Sequence, residues 1–168
     1  MFAYRIRPTG WLPWLAIPML SLACTTQAPP PAPAAPPPSP DPQFINLVEP
    51  WPYPFSSAVR SGSLLFVSGQ IGTRIVDGKP VLVEGGIEPE TRQTLDNIKA
   101  IVERGGSSMG RVVKCLVMLA DMRDWPKVNE IYATYFPGPK PARSAFGASG
   151  LALGARVEIE CTADVATR

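Results

Sequence analysis

The segment Arg156-Val157-Glu158-Ile159-Glu160-Cys161-Thr162-Ala163-Asp164 alternates apolar and polar side chains without a break. Successive side chains of a β-strand point to opposite faces, so this pattern predicts a strand with one buried and one polar face. Val157 and Ile159 would face the core, and Glu158 and Glu160 the other side. We expect this strand to define the sheet on which the domain is built.

Three further segments have the composition of strands in the same sheet. Residues 111–119 are rich in β-branched and apolar side chains on both faces, which favours a central position. Residues 142–147 predict a shorter strand. Residues 58–60 and 64–70 flank Ser61-Gly62-Ser63, a pattern typical of a hairpin with a tight turn.

Two helices are predicted between these strands. The first begins near Glu88-Pro89 and ends at Gly105-Gly106, and the second follows Asp124 and ends at Pro137-Gly138-Pro139. Their apolar stripes recur at helical spacing: Leu95, Ile98, Ile101 and Val102 in the first, and Trp125, Val128, Ile131, Tyr132 and Tyr135 in the second. The order β-β-(β)-α-β-α-β-β predicts an α+β sandwich, a mixed sheet with both helices on one face.

Composition excludes several classes of chemistry. The chain contains no histidine, which removes the commonest general base and the usual nitrogen ligand of zinc. Cys24, Cys115 and Cys161 show no CxxC spacing, so we expect neither a metal nor another cofactor. Apart from Arg5 and Arg7, basic and acidic residues are equal in number, and this balance argues against a nucleic-acid partner.

The N-terminus has the features of an export signal. Arg5 and Arg7 precede a short apolar stretch interrupted by proline, so we expect residues 1–23 to be a signal peptide. Ala23-Cys24 resembles the lipobox of bacterial lipoproteins, which predicts lipidation of Cys24 and a domain anchored to the bacterial envelope, most simply on the periplasmic side. Ser21 stands where that box usually has leucine, so plain secretion and an uncleaved anchor remain alternatives.

Residues 24–43 read as a tether, because nine of the fourteen positions from 29 to 42 are proline. Proline fixes φ and removes amide donors, so this stretch favours extended polyproline II or a disordered linker rather than a core. We therefore expect the folded domain to span residues 44–168.

Arg143 and Glu158 lie on two predicted strands and are the clearest candidates for function. A guanidinium can hold a carboxylate through two parallel hydrogen bonds, and a glutamate can orient or deprotonate a water molecule. Two structural alternatives remain open: Arg143 as a solvated strand residue or an intersubunit ion pair, and Glu158 as part of a wet sheet surface beside Glu160.

Several segments in this order resemble the RidA (YjgF) family of imine and enamine deaminases over about residues 50–166. They are Ser68-Gly69-Gln70-Ile71, Arg92 to Val102, Val128-Asn129, Pro141-Ala142-Arg143-Ser144 and Val157-Glu158-Ile159-Glu160. The resemblance implies a chorismate-mutase-like fold, a homotrimer with clefts between subunits, and hydrolysis of small 2-imino or enamine acids to 2-oxo acids and ammonia.

The same resemblance implies roles for individual residues. Arg143 matches the arginine that binds the substrate carboxylate, and Glu158 the glutamate that positions water. Ser68, Gly69 and Asn129 match the rest of the pocket wall.

Two substrate-pocket positions depart from the family pattern. Phe55 replaces a tyrosine, so the ring remains without its hydroxyl, and Ala145 replaces a cysteine, so only backbone contacts remain there. These two changes leave open a second interpretation, a non-enzymatic module that binds small carboxylates or acts as a scaffold. An endoribonuclease, an older family label, is the third, and both the charge balance and export argue against it.

Cys115 and Cys161 fall in predicted core strands. The simplest interpretation is that both are small buried hydrophobic residues. An exported protein can also oxidise them if they are adjacent, and their Cα separation decides between the two.

Overall fold

The computed structural model describes residues 41–48 and 53–165. The predicted signal peptide and nearly all of the proline-rich tether, including Cys24, lie outside the described residues. The strands are β1 (Gln43–Ile45), β2 (Ala58–Ser61), β3 (Leu64–Ile71), β4 (Thr73–Val76), β5 (Lys79–Leu82), β6 (Val112–Leu119), β7 (Ala142–Gly147) and β8 (Val157–Asp164). The helices are α1 (Ile87–Arg104) and α2 (Trp125–Tyr135).

Six strands form one mixed sheet in the order β1-β2-β3-β8-β6-β7. β8 lies inside this sheet, antiparallel to both β3 and β6. β7 runs parallel to β6, and α2 makes the crossover between them. The mixed α+β architecture predicted from the sequence is therefore confirmed.

Both helices pack on one face of this sheet and bury its apolar residues. Alternate residues of β8, namely Val157, Ile159, Cys161 and Ala163, are at most 3% exposed, as the alternation predicted. The apolar stripe of α1 is completely buried over them. Neither helix in the described ranges is long and apolar enough to cross a membrane.

The structure contains three strands whose positions the sequence did not predict. β1 pairs with β2 at the edge of the sheet and includes Gln43, which the sequence assigned to the tether. β4 and β5 form a separate hairpin, where the sequence suggested at most one strand. Its turn residues, Asp77 and Gly78, have φ values of 50° and 75°. Positive φ at both central residues is the backbone of a type I′ turn, for which Asp-Gly is a favoured sequence.

Cys115 on β6 and Cys161 on β8 are cross-strand partners and form a disulfide, with their Cα atoms 4.1 Å apart. Both residues are buried. The structure thus shows the oxidised alternative rather than two free hydrophobic side chains. The bond covalently joins β6 and β8, two adjacent interior strands of the sheet.

Candidate active site

Arg143 lies on the helix-facing side of the sheet. Its cross-strand partner is Cys115, whose buried side chain faces the helices, and register partners share a face. The Arg143 Cζ atom lies 5.0 Å from the ring centroid of Trp125 and 4.6 Å from that of Tyr132. Its Nη2 donates a hydrogen bond of 2.6 Å to Asn129 Oδ1. The arginine is thus half-buried against α2 rather than solvated.

Within the described ranges, no carboxylate pairs with Arg143. Arg156, by contrast, binds the Asp124 carboxylate through both Nε and Nη2 at 2.8 to 3.0 Å. The guanidinium of Arg143 therefore has ordered neutral neighbours but no ion-pair partner among the described residues. Such a group is suited to bind an external carboxylate.

Glu158 lies on the opposite face of the sheet. It pairs with Met118 of β6, one position from the buried Val117, and its own strand neighbours Val157 and Ile159 are buried on the helix side. Its carboxyl group lies against the backbone of Gly69: a β-carbon there would collide with Glu158 Oε1 and lie 3.0 Å from its Cδ. Gly69 thus makes the space that Glu158 occupies.

The environment of Glu158 disfavours its charged form. Partial burial raises the pKa of its carboxyl group above the ordinary value of 4.5, and the negative charge of Glu160 on the same face raises it further. A carboxylate that holds its proton more tightly is a better base. Glu158 is therefore suited to accept a proton from water and return it.

The remaining predicted pocket residues occupy three places. Ser68 Oγ donates a hydrogen bond of 2.7 Å to the carbonyl of Ser56, which fixes the segment carrying Phe55 to β3. Phe55 is 51% exposed, and its ring stacks on Tyr53 with centroids 5.6 Å apart. Ala145 lies partly buried against the core, on the same face as Arg143.

A single chain therefore contains two half-sites on opposite faces of the sheet. One consists of Arg143, Asn129 and Ala145, and the other of Glu158 and Gly69. Asn129, predicted as part of the pocket wall, lies on α2, and its side chain accepts a hydrogen bond from Arg143.

Sequence reasoning missed the contact of Trp125 and Tyr132 with Arg143, because it assigned both rings to the core. Tyr132 is indeed buried, at 5% exposed, yet its ring also faces the guanidinium. The spacing of Trp125, Asn129 and Tyr132 is i, i+4, i+7, which places all three on one helix face. That spacing was the available signal.

Within the described residues, neither a cavity nor a metal site adds to these half-sites. A cavity of about 590 Å³ between the C-terminal parts of α1 and α2, next to Lys99, Tyr135 and Pro139, contains none of the predicted site residues. No group of three or more Cys, Asp or Glu side chains in the described ranges is arranged to hold a metal ion.

Comparison with known proteins identifies the family. The model of the family described as Endoribonuclease L-PSP matches residues 49–165, so the chain belongs to that family, which is also called RidA or YjgF. The match covers both half-sites and both helices. The resemblance inferred from the sequence is therefore confirmed.

Curated relatives carry names that describe deaminases. The chain is 44% identical over 110 residues to the chloroplastic Reactive Intermediate Deaminase A of Arabidopsis thaliana. This match covers 66% of this chain and 58% of that protein, so the chain spans less than two thirds of the length of that relative. It is also 44% identical over 110 residues to the 2-iminobutanoate/2-iminopropanoate deaminase of Mus musculus, covering 66% and 80%.

Solved structures share the fold. RidA from the Antarctic bacterium Psychrobacter sp. PAMC 21119 has a TM-score of 0.63 and 35% identity, covering 68% of this chain and 91% of that one. E. coli TdcF with bound serine has a TM-score of 0.62 and 28% identity, covering 73% and 94%.

Proposed function

We propose that this protein is a deaminase that hydrolyses small 2-imino or enamine acids to 2-oxo acids and ammonia. The observation that carries the proposal is Arg143, an ordered guanidinium without a carboxylate partner in the described part of the chain. Family membership and the names of the curated relatives support the same reaction.

The chemistry follows from the two half-sites. Arg143 binds the carboxylate of the imino acid and fixes the position of its C2 atom. Glu158 accepts a proton from a water molecule as the water oxygen bonds to C2 of the protonated imine, which gives a neutral carbinolamine. Glu158 then gives this proton to the nitrogen. As the C–N bond breaks, the carbinolamine hydroxyl passes its proton back to Glu158, the C2=O bond of the 2-oxo acid forms, and ammonia leaves and takes up that proton as ammonium. An imine carbon is already electrophilic, so placement and proton transfer are sufficient for this reaction.

The reacting groups meet across a subunit interface, since Arg143 and Glu158 of one chain lie on opposite faces of its sheet. The face that carries Glu158 also exposes apolar side chains, among them Phe66 at 48% and Phe146 at 47%. Large exposed apolar groups on one sheet face favour association with another chain. The family resemblance implies a homotrimer, with Arg143 of one subunit facing Glu158 of the next.

An assay on freshly generated imines tests the reaction. An amino-acid oxidase supplies 2-iminopropanoate or 2-iminobutanoate, and the disappearance of the imine is followed with and without the protein. We expect acceleration by the wild type and by the control Arg104→Ala, at the exposed end of α1, but a loss of about 100-fold or more in kcat/KM for Arg143→Ala. Imine decay that is equal with and without the protein would refute deamination. Calorimetric binding of 2-oxo acids without turnover would instead support a carboxylate-binding module.

Mixing two inactive variants tests the shared site. Arg143→Ala and Glu158→Gln are each expected to be inactive alone. Subunits exchanged between them after partial unfolding create interfaces with both native groups, so part of the activity should return. If the mixture stays inactive while native mass spectrometry shows mixed oligomers, the two groups do not work across an interface.

We also propose that the domain is exported and held at the envelope by lipidated Cys24, on the periplasmic side. The Cys115–Cys161 disulfide supports this location, because disulfides persist in oxidising compartments. Intact-mass analysis of the mature protein tests it: a diacylated or triacylated N-terminal cysteine is expected, and a chain that still carries residues 1–23 would contradict it.

A further inference from the structure

The three residues around Arg143 form a small enclosure on α2, which we call the guanidinium cage: Trp125, Asn129 and Tyr132. The two rings lie with their centroids 5.0 and 4.6 Å from Arg143 Cζ, and the amide oxygen accepts from Nη2. Cations are attracted to aromatic faces at such distances. The cage therefore restrains the plane of the guanidinium as well as its position.

Every member of the cage is electrically neutral. Asn129 supplies an acceptor without a negative charge, whereas an aspartate at the same position would form an ion pair with Arg143. The Tyr132 hydroxyl also stays neutral, because burial raises its pKa to about 12. The cage thus orders Arg143 without cancelling the charge that a substrate carboxylate requires.

The ring of Tyr132, not its hydroxyl, makes the contact. Tyr132 is 5% exposed, and its hydroxyl oxygen has no hydrogen-bond partner in the described part of the protein. Removal of that oxygen leaves the stacking surface intact and removes a buried polar atom. Phenylalanine at this position is therefore a matched control for leucine, which removes the aromatic face.

We propose that Trp125, Asn129 and Tyr132 are positioning residues that set the affinity of Arg143 for the substrate carboxylate, an inference that rests on the proposed deaminase function. They act through Arg143, by holding its guanidinium in one orientation and placing no negative charge beside it.

Steady-state kinetics on paired variants test the proposal. Trp125→Leu and Tyr132→Leu should raise KM by about 3- to 30-fold with little change in kcat, since Arg143 binds the same carboxylate in the ground and transition states. Trp125→Phe and Tyr132→Phe keep an aromatic face and should remain within about threefold of the wild type. Asn129→Asp should raise KM by more than about tenfold, because the new carboxylate would form an ion pair with Arg143 and compete with the substrate carboxylate.

A structural role would give a different pattern. Loss of folded protein lowers the apparent kcat and leaves KM unchanged, and thermal unfolding of each variant measures that loss directly. Calorimetry with pyruvate and 2-oxobutanoate gives the same comparison without turnover. If the wild type is active and the leucine variants bind and react like it, the cage proposal is wrong while the deaminase proposal stands.

A measurement without ligand covers the case in which the wild type neither binds nor reacts. The guanidinium nitrogen signals of Arg143, assigned in ¹⁵N NMR spectra by comparison with Arg143→Lys, report rotation about the Nε–Cζ bond. We expect hindered rotation in the wild type and in Tyr132→Phe, and free rotation in Tyr132→Leu. Free rotation in the wild type would overturn the proposal independently of any activity.

Discussion

Opening the Cys115–Cys161 disulfide should destabilise the domain strongly without changing its fold. The bond joins β6 and β8, which are also hydrogen-bonded neighbours along most of their length. The sheet therefore keeps its strand order when the bond is reduced. The main effect falls on the unfolded chain, which gains conformational freedom once the crosslink is gone.

The size of the effect follows from the length of chain that the bond encloses. The two cysteines are 46 residues apart in sequence. In the chain-entropy description, closing a loop of that length removes about 13 cal/mol/K from the unfolded state, or ~4 kcal/mol at 25 °C. With a urea slope of about 2 kcal/mol/M, the unfolding midpoint should fall by roughly 2 M on reduction. The slope itself should rise, because the uncrosslinked unfolded chain exposes more surface.

Urea unfolding with and without a reductant measures this change at a fixed protein concentration, since association would also shift the midpoint. The control is the double variant Cys115→Ala, Cys161→Ala, which keeps Cys24 but cannot form the disulfide. Its unfolding midpoint should be the same with and without the reductant. Equal midpoints for oxidised and reduced wild type would refute the reasoning. Detection of Cys115 and Cys161 as free thiols in protein purified without reductant would refute it as well.

Two further predictions concern the half-site around Glu158. Gly69→Ala should displace the Glu158 carboxyl group and lower kcat by about 100-fold while 2-oxo acid binding is retained, whereas Gly138→Ala, where a β-carbon would meet nothing within 4 Å, should be silent in the same kinetic assay. Glu160→Gln should move the acid limb of the kcat/KM profile to lower pH, because the pKa of Glu158 is raised first by burial and then by the charge of Glu160. An acid limb at or below pH 4.5 in the wild type, or no shift in the variant, would contradict this assignment.

The elements with one buried face were predictable from the sequence. β8 showed its two faces by alternation, and α1 showed its single apolar stripe between a proline and two glycines. Burial imposes a period on the sequence, and that period identifies the element.

The missed strands lack such a period because little of them is buried. Phe44 of β1 is 71% exposed, and Ile75 and Val81 of the β4–β5 hairpin are about half exposed. Only the dipeptide Asp77-Gly78, whose residues have positive φ, marks the hairpin in the sequence. A short edge strand without a buried face has no comparable signal.

The sequence indicates candidate site residues but not their geometry. Alternation places Glu158 and Ile159 on opposite faces of one strand. The face on which Arg143 lies, however, depends on its register with Cys115. Register is a property of strand pairing, which no single strand encodes. The disulfide was undecidable for the same reason, since it requires Cys115 and Cys161 to be directly opposite.

Although the half-sites lie on opposite faces, one chain holds them in a fixed relation. Asp124 directly precedes Trp125 at the start of α2, and its two-pronged pair with Arg156 fixes the residue that precedes β8. The backbone N–H of Arg156 also donates to the buried Glu90 of α1, at 2.8 Å. Glu158 follows two residues later, so the cage and the strand that carries Glu158 share one anchor.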